Sequence, residues 1–357
     1  MKDTTTILKV LLVGIFIIFT ATQAVPVTAG INVWTSIGPE GDQTVFDLEI
    51  DPSTPTTLYA GIDSYGVFKS TNGGDSWTPV NNGLAETIIY SLAINPTTPT
   101  TLYAANAWGG GVFKSTNAGD SWSAANTGLT DTSVRVLAIN PSTPTTLYAG
   151  TNGGVFKSIN GGDSWQEANT GLTETDVEAL AINPSTPTTL YAGTCNSSGV
   201  FKSTNAGDSW QEANIGLTGD ALCVLALVID PLSPEVLYIG TGGGGVFKST
   251  NGGDSWIESS AGLIVGDLYD LAIDPVNPNI LYAGTWSGWL GVGLHKSIDG
   301  GGTWTDFNTG LSDLDVKSLA IDPLHPTTLY AGTFEGGAFK IEQVELNHHI
   351  FLPLVIK

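Results

Sequence analysis

Short apolar runs and polar turns alternate along this chain, and the same order returns seven times. One unit occupies residues 177–217. It reads Val-Glu-Ala-Leu-Ala-Ile, a turn Asn-Pro-Ser-Thr-Pro-Thr-Thr, then Leu-Tyr-Ala-Gly-Thr and a variable loop. Gly-Val-Phe-Lys-Ser, a turn with Asn-Ala-Gly-Asp, Ser-Trp-Gln-Glu-Ala and Asn-Ile-Gly-Leu complete it. Each run ends at Pro, Gly, Asn or Asp, which predicts four short strands, A to D. No segment carries a sustained apolar period of 3.6 residues, so helices are not expected.

Strand A is expected to start near Phe46, Ile89, Val134, Val177, Val224, Leu268 and Val316, giving seven units. Six of them carry Ser-x-Asn-Gly-Gly-Asp-Ser-Trp or a close variant, with tryptophans 43 to 48 residues apart. Four antiparallel strands at that period predict a propeller. The seventh unit stops after Ala338-Phe-Lys-Ile, without strand D. Val33-Trp34-Thr-Ser-Ile37 resembles Ser76-Trp77-Thr-Pro-Val80, so the N-terminal strand is expected to complete the last blade. The expected fold is all-β: one seven-bladed propeller over residues 31–345, with no open edge at its seam.

The turn phrase resembles the Asp-box, or BNR repeat, Ser/Thr-x-Asp-x-Gly-x-Thr-Trp. Asp299 with Trp304 fits it fully. Asn72 with Trp77, Asn117 with Trp122, Asn160 with Trp165, Asn205 with Trp210, and Asn251 with Trp256 carry Asn in place of Asp. Both side chains bond their own turn backbone and tolerate left-handed conformations. The chain is similar to single propellers related to the photosystem II assembly and stability factor. Xyloglucanases and sortilin-type receptors share the box. The resemblance implies the fold; one propeller hosts many functions.

The ends and the charge narrow the setting. Lys2 and Lys9 supply positive charge, residues 7–19 form a short apolar run, and small residues near Ala24 and Ala29 offer cleavage sites. Residues 1–29 are therefore expected to be a secretory signal, which places the mature chain outside the cell or at its surface. The apolar tail of residues 346–357 is too short to span a bilayer. A net charge of −22 argues against nucleic acid and anionic lipid as partners. Cys195 and Cys223 are the only cysteines, and in an exported chain they suggest one disulfide.

The chemistry is sparse. The family's sialidases imply an arginine cluster for a carboxylate, and Arg135 is the sole arginine. No Cys/His spacing suits zinc, and no cofactor is expected. The seven strand-C lysines (Lys69, Lys114, Lys157, Lys202, Lys248, Lys296 and Lys340) recur in every unit and read as architecture. Because strand direction alternates, A–B and C–D turns share one nearly uniform face. B–C and D–A loops share the other, and these vary. Candidate ligand-binding residues on that variable face are Tyr65, Trp108, Glu174, Asp176, Trp286, Trp289 and Phe334. Aromatics beside acids suit a protein or glycan ligand. The expected function is a secreted, monomeric, non-catalytic scaffold. The alternative is a xyloglucanase-like glycoside hydrolase or a lectin-like module, the former needing two carboxylates across a cleft.

Overall fold

In a computed structural model that describes residues 32–39, 43–264, 266–286 and 292–344, the chain forms seven sheets of four antiparallel strands. Strand A of each blade spans Val45–Ile50, Ser91–Ile94, Val134–Ile139, Val177–Ile182, Val224–Ile229, Asp267–Ile273 and Val316–Ile321. Blades 1 to 6 follow chain order. Blade 7 is completed by Thr35–Gly38, which pairs with the last strand, Ala338–Glu342. The expected signal segment, the C-terminal tail and Trp289 lie outside the described residues.

Trp34 closes the ring in the same way that the other blades are joined. In all seven blades a tryptophan Nε1 donates to a main-chain carbonyl of the preceding blade's strand D or its end, at 2.7–2.9 Å. Trp34 donates to Phe307, as Trp77 does to Ile37. Strand-B tyrosines reach the next blade as well: Tyr103, Tyr148, Tyr191 and Tyr238 donate to turn carbonyls at 2.9–3.0 Å. The strand-C lysines make the same crossing. Lys114, Lys157 and Lys202 pair with Asp163, Asp208 and Asp254 of the following blade. Blade 7 has no such turn, and Gln343 replaces it: its side chain donates to Tyr282 and accepts from Lys296 of blade 6.

The six turns share one bonding scheme. Asn72 Oδ1 accepts from the Ser70 hydroxyl and from the Ser76 backbone, while Nδ2 donates to the Ser76 hydroxyl. In the Asp299 version the Thr303 hydroxyl donates to the second carboxylate oxygen. Those donors hold the exposed Asp299 carboxyl down at about 2. The hydroxyl at this position accepts from the amide in the Asn turns and donates to the carboxylate in the Asp299 turn, so one geometry serves both.

Strand A departs from the expected start in three blades, beginning at Val45, Ser91 and Asp267. Blade 2 pairs without a register shift, in contrast to the others. Six blades have a β-bulge at Phe46, Arg135, Glu178, Leu225, Tyr269 or Lys317. A bulge leaves its residue out of the ladder and re-aims the side chain.

A disulfide joins Cys195, in the B–C loop of blade 4, to Cys223 at the start of blade 5. It closes a segment with a sequence separation of 28, which chain-entropy arguments value at about 3.6 kcal/mol. Cys195→Ser is therefore expected to lower stability by about that amount in denaturant titration. The wild type under reductant should match the variant.

Candidate functional site

Strand A lines the central channel, and its second residue sits near the variable face. Counted from Val45, Ile89, Val134, Val177, Val224, Leu268 and Val316, the fourth position is Leu and the sixth Ile in all seven blades. The second is Phe46, Tyr90, Arg135, Glu178, Leu225, Tyr269 or Lys317. These side chains meet around the channel mouth. Phe46 stacks on Tyr90 with ring centroids 4.2 Å apart. Arg135 Nη1 lies 2.6 Å from Glu178 Oε1, and its Nε lies 3.5 Å from Asp176. Convergence across the ring is visible in Tyr269 of blade 6. Burial, then Asp267, Tyr90, Glu178 and Asp315, push its hydroxyl up to about 12.

The strongest cluster spans blades 6 and 7. Lys317 Nζ lies 3.4 Å from the centroid of the Tyr269 ring, 5.0 Å from Trp286 and 5.6 Å from Phe334. Trp286 meets Tyr269 edge-on at 6.1 Å. Burial pushes the Lys317 ammonium down to about 8, although Asp315, Asp267 and Asp313 all favour its charged form. Burial likewise raises the carboxyls of Asp267 and Asp315. The site is thus a box of three aromatic faces rimmed by carboxylates, with a lysine as its occupant. Both features favour a cation.

Deeper in the channel, three carboxyl groups face one another. Asp47 accepts from the Leu92 backbone and Asp270 from Leu319, each clamping its own blade to the next. Burial pushes Asp47 up to about 6 and Asp270 to about 7, and it holds Glu49 beside them well above the usual carboxylate range. No group of three or more His, Cys, Asp and Glu among the described residues is arranged to hold a metal ion.

The residues singled out from sequence fall in different places. Trp286 and Phe334 join the Lys317 box, and Asp176 joins the Arg135 pair. Glu174 Oε1 accepts from the backbones of Thr175 and Asp176, a local bond within its loop. Tyr65 and Trp108 are 52% and 75% exposed on loops of blades 1 and 2, apart from the box. Sequence reasoning misses Lys317, Tyr269, Tyr90 and Phe46 altogether. The signal that could find them is the one irregular position inside an otherwise repetitive strand.

The fold and the mouth together define a single-ring, seven-bladed β-propeller with an asymmetric channel entrance. Its structural neighbours include two kinds of protein. The GH74 xyloglucanase from Xanthomonas campestris superposes with a TM-score of 0.71 at 19% identity, over 86% of this chain and 53% of that one. GH74 from Niastella koreensis gives 0.68 at 20% identity over 86% and 53%. The chain thus spans about half the length of these enzymes. YCF48 bound to D1 peptide gives 0.67 at 16% identity, over 89% of this chain and 99% of that one. At these identities the likeness concerns the fold. No protein-family model and no curated protein sequence matches the chain.

Proposed function

We propose that the protein is a non-catalytic binding scaffold, working outside the cell, that holds a basic protein segment at its channel mouth. The observation that carries this reading is the Lys317 box. Tyr269, Trp286 and Phe334, with Asp267, Asp313 and Asp315 nearby, already accommodate a lysine ammonium of the chain itself. An acidic protein, at net charge −22, also draws basic partners over long range. YCF48, a neighbour of nearly equal length, is described with a bound peptide. The deep carboxyl groups Asp47 and Asp270 are tied to backbone N–H groups, a poor arrangement for an acid and base serving a glycosidic bond.

A panel of basic, neutral and acidic peptides measured by fluorescence anisotropy tests the reading. The basic peptides should bind, and binding should weaken with salt. Trp286→Ala should reduce it by about tenfold or more, the range of an aromatic hot spot. Trp108→Ala should leave it nearly unchanged. Equal binding of all three classes, or hydrolysis of a xyloglucan oligosaccharide, would sink the proposal.

A further inference from the structure

On the face they share with the C–D turns, the A–B turns break their own repeat in three consecutive blades. The residue after the turn proline is Ser53, Thr97, Ser142 or Ser185 in blades 1 to 4. In blades 5, 6 and 7 it is Leu232, Val276 and Leu324, which are 64%, 69% and 59% exposed. The local geometry is unchanged. Asp230, Asp274 and Asp322 each accept from the backbone N–H groups of the two residues that follow their proline. Nothing in the turn itself needs an apolar side chain, and three neighbouring turns present one to solvent.

The chain leaves blade 7 on this same face. Its last strand, Ala338–Glu342, runs toward the turns, and Gln343 then bonds to the Thr327 carbonyl of the blade 7 turn. The Gln343 side chain leans into blade 6 through Tyr282. Beyond Val344 lie residues 345–357, including the apolar run Ile350-Phe351-Leu352-Pro353-Leu354-Val355-Ile356. Six residues reach about 20 Å when extended, enough to bring that run across neighbouring blades. On the other side, toward blade 1, the groove beside Val344 is lined by Pro55, Thr56, Asn72, His325, Tyr330 and Lys340, and the matching turn residue of blade 1 is Ser53 rather than an aliphatic side chain.

We infer that the C-terminal segment, residues 350–356, docks on the apolar arc formed by Leu232, Val276 and Leu324. The arc and the segment then cover each other's apolar surface. The turn face becomes the closed side of the ring, and the channel mouth stays open to a ligand. The docking concerns the face opposite the mouth, so it stands independently of what the mouth binds.

Cysteine crosslinking in the full-length chain tests it. Phe351→Cys is combined in turn with Leu324→Cys, Val276→Cys and Ser53→Cys, all at turn positions of this face. Ser53 stands at the matching turn of blade 1, on the far side of the exit point. Docking predicts intramolecular disulfides to position 276 at least about fivefold above position 53, these two lying one blade to either side of the exit blade, with position 324 on the exit blade itself as the proximity reference. Equal linkage on both sides, or no linkage, overturns the inference. Predominantly intermolecular linkage overturns it too, and would assign the arc to a contact between copies.

Discussion

Trp34→Ala is expected to lower stability by about 3–5 kcal/mol, the range for deleting a large buried aromatic side chain. Trp34 is 2% exposed, donates to Phe307 and packs edge-on against its ring at 6.0 Å. Its carbonyl lies against Gly310, where an added Cβ would come within 2.3 Å. The same glycine-to-tryptophan contact recurs between the other blades, for example from Gly128 to Trp165. The seam differs from them because its two strands come from opposite ends of the chain. Losing Trp34 therefore frees the N-terminal strand and exposes the edge of the last blade. Denaturant titration beside Trp108→Ala, which should cost less than about 0.5 kcal/mol at an exposed site, checks this. Equal stability of the two variants would show that the seam does not hold the ring.

The second large effect is a stability that falls as pH rises. Asp47 at about 6 and Asp270 at about 7 hold their protons more tightly folded than unfolded, and so does Glu49. A carboxyl raised in this way contributes fully below its unfolded value near 4. Its contribution is lost as pH climbs through the folded value. The window is thus roughly pH 4 to 7, with a plateau above. Each tenfold gain in proton affinity on folding is worth about 1.4 kcal/mol, and the three groups share one set of charges. The loss is therefore on the order of 2–4 kcal/mol. The melting temperature should be several degrees higher at pH 5 than at pH 8. Asp47→Asn with Asp270→Asn keeps the acceptors for Leu92 and Leu319 while removing the charge. The double variant should be flatter with pH and more stable at pH 8. An unchanged pH profile in it would mean that the channel carboxyls are not the cause.

Much of the architecture can be read from the chain because it is written seven times. The strand order, the ring closure through Trp34 and the architectural role of lysines such as Lys157 follow from repetition. The candidate site is only partly legible. Trp286 and Phe334 stand out as aromatics in variable loops. Tyr269 and Lys317 do not, because they lie within strand A and look like ordinary strand residues. Only the bulge turns them toward the axis, and only ring closure brings Tyr269 of blade 6 within the influence of Tyr90 of blade 2. The turns of blades 5 to 7 pass for copies of the others because their Asp-Pro start matches the Asp-Pro or Asn-Pro start of blades 1 to 4. The side chains at Leu232, Val276 and Leu324 are where they differ.

If the channel mouth is built to hold a cation, Lys317 occupies the place a ligand would take. Affinity of one basic peptide for the wild type, Lys317→Met and Trp286→Ala measures this directly. Opposite signs are expected. Lys317→Met empties the box, leaves its carboxylates unopposed and should tighten binding, whereas Trp286→Ala removes a wall and should weaken it. Weakening by both substitutions, or no response to either, would contradict a cation-holding mouth.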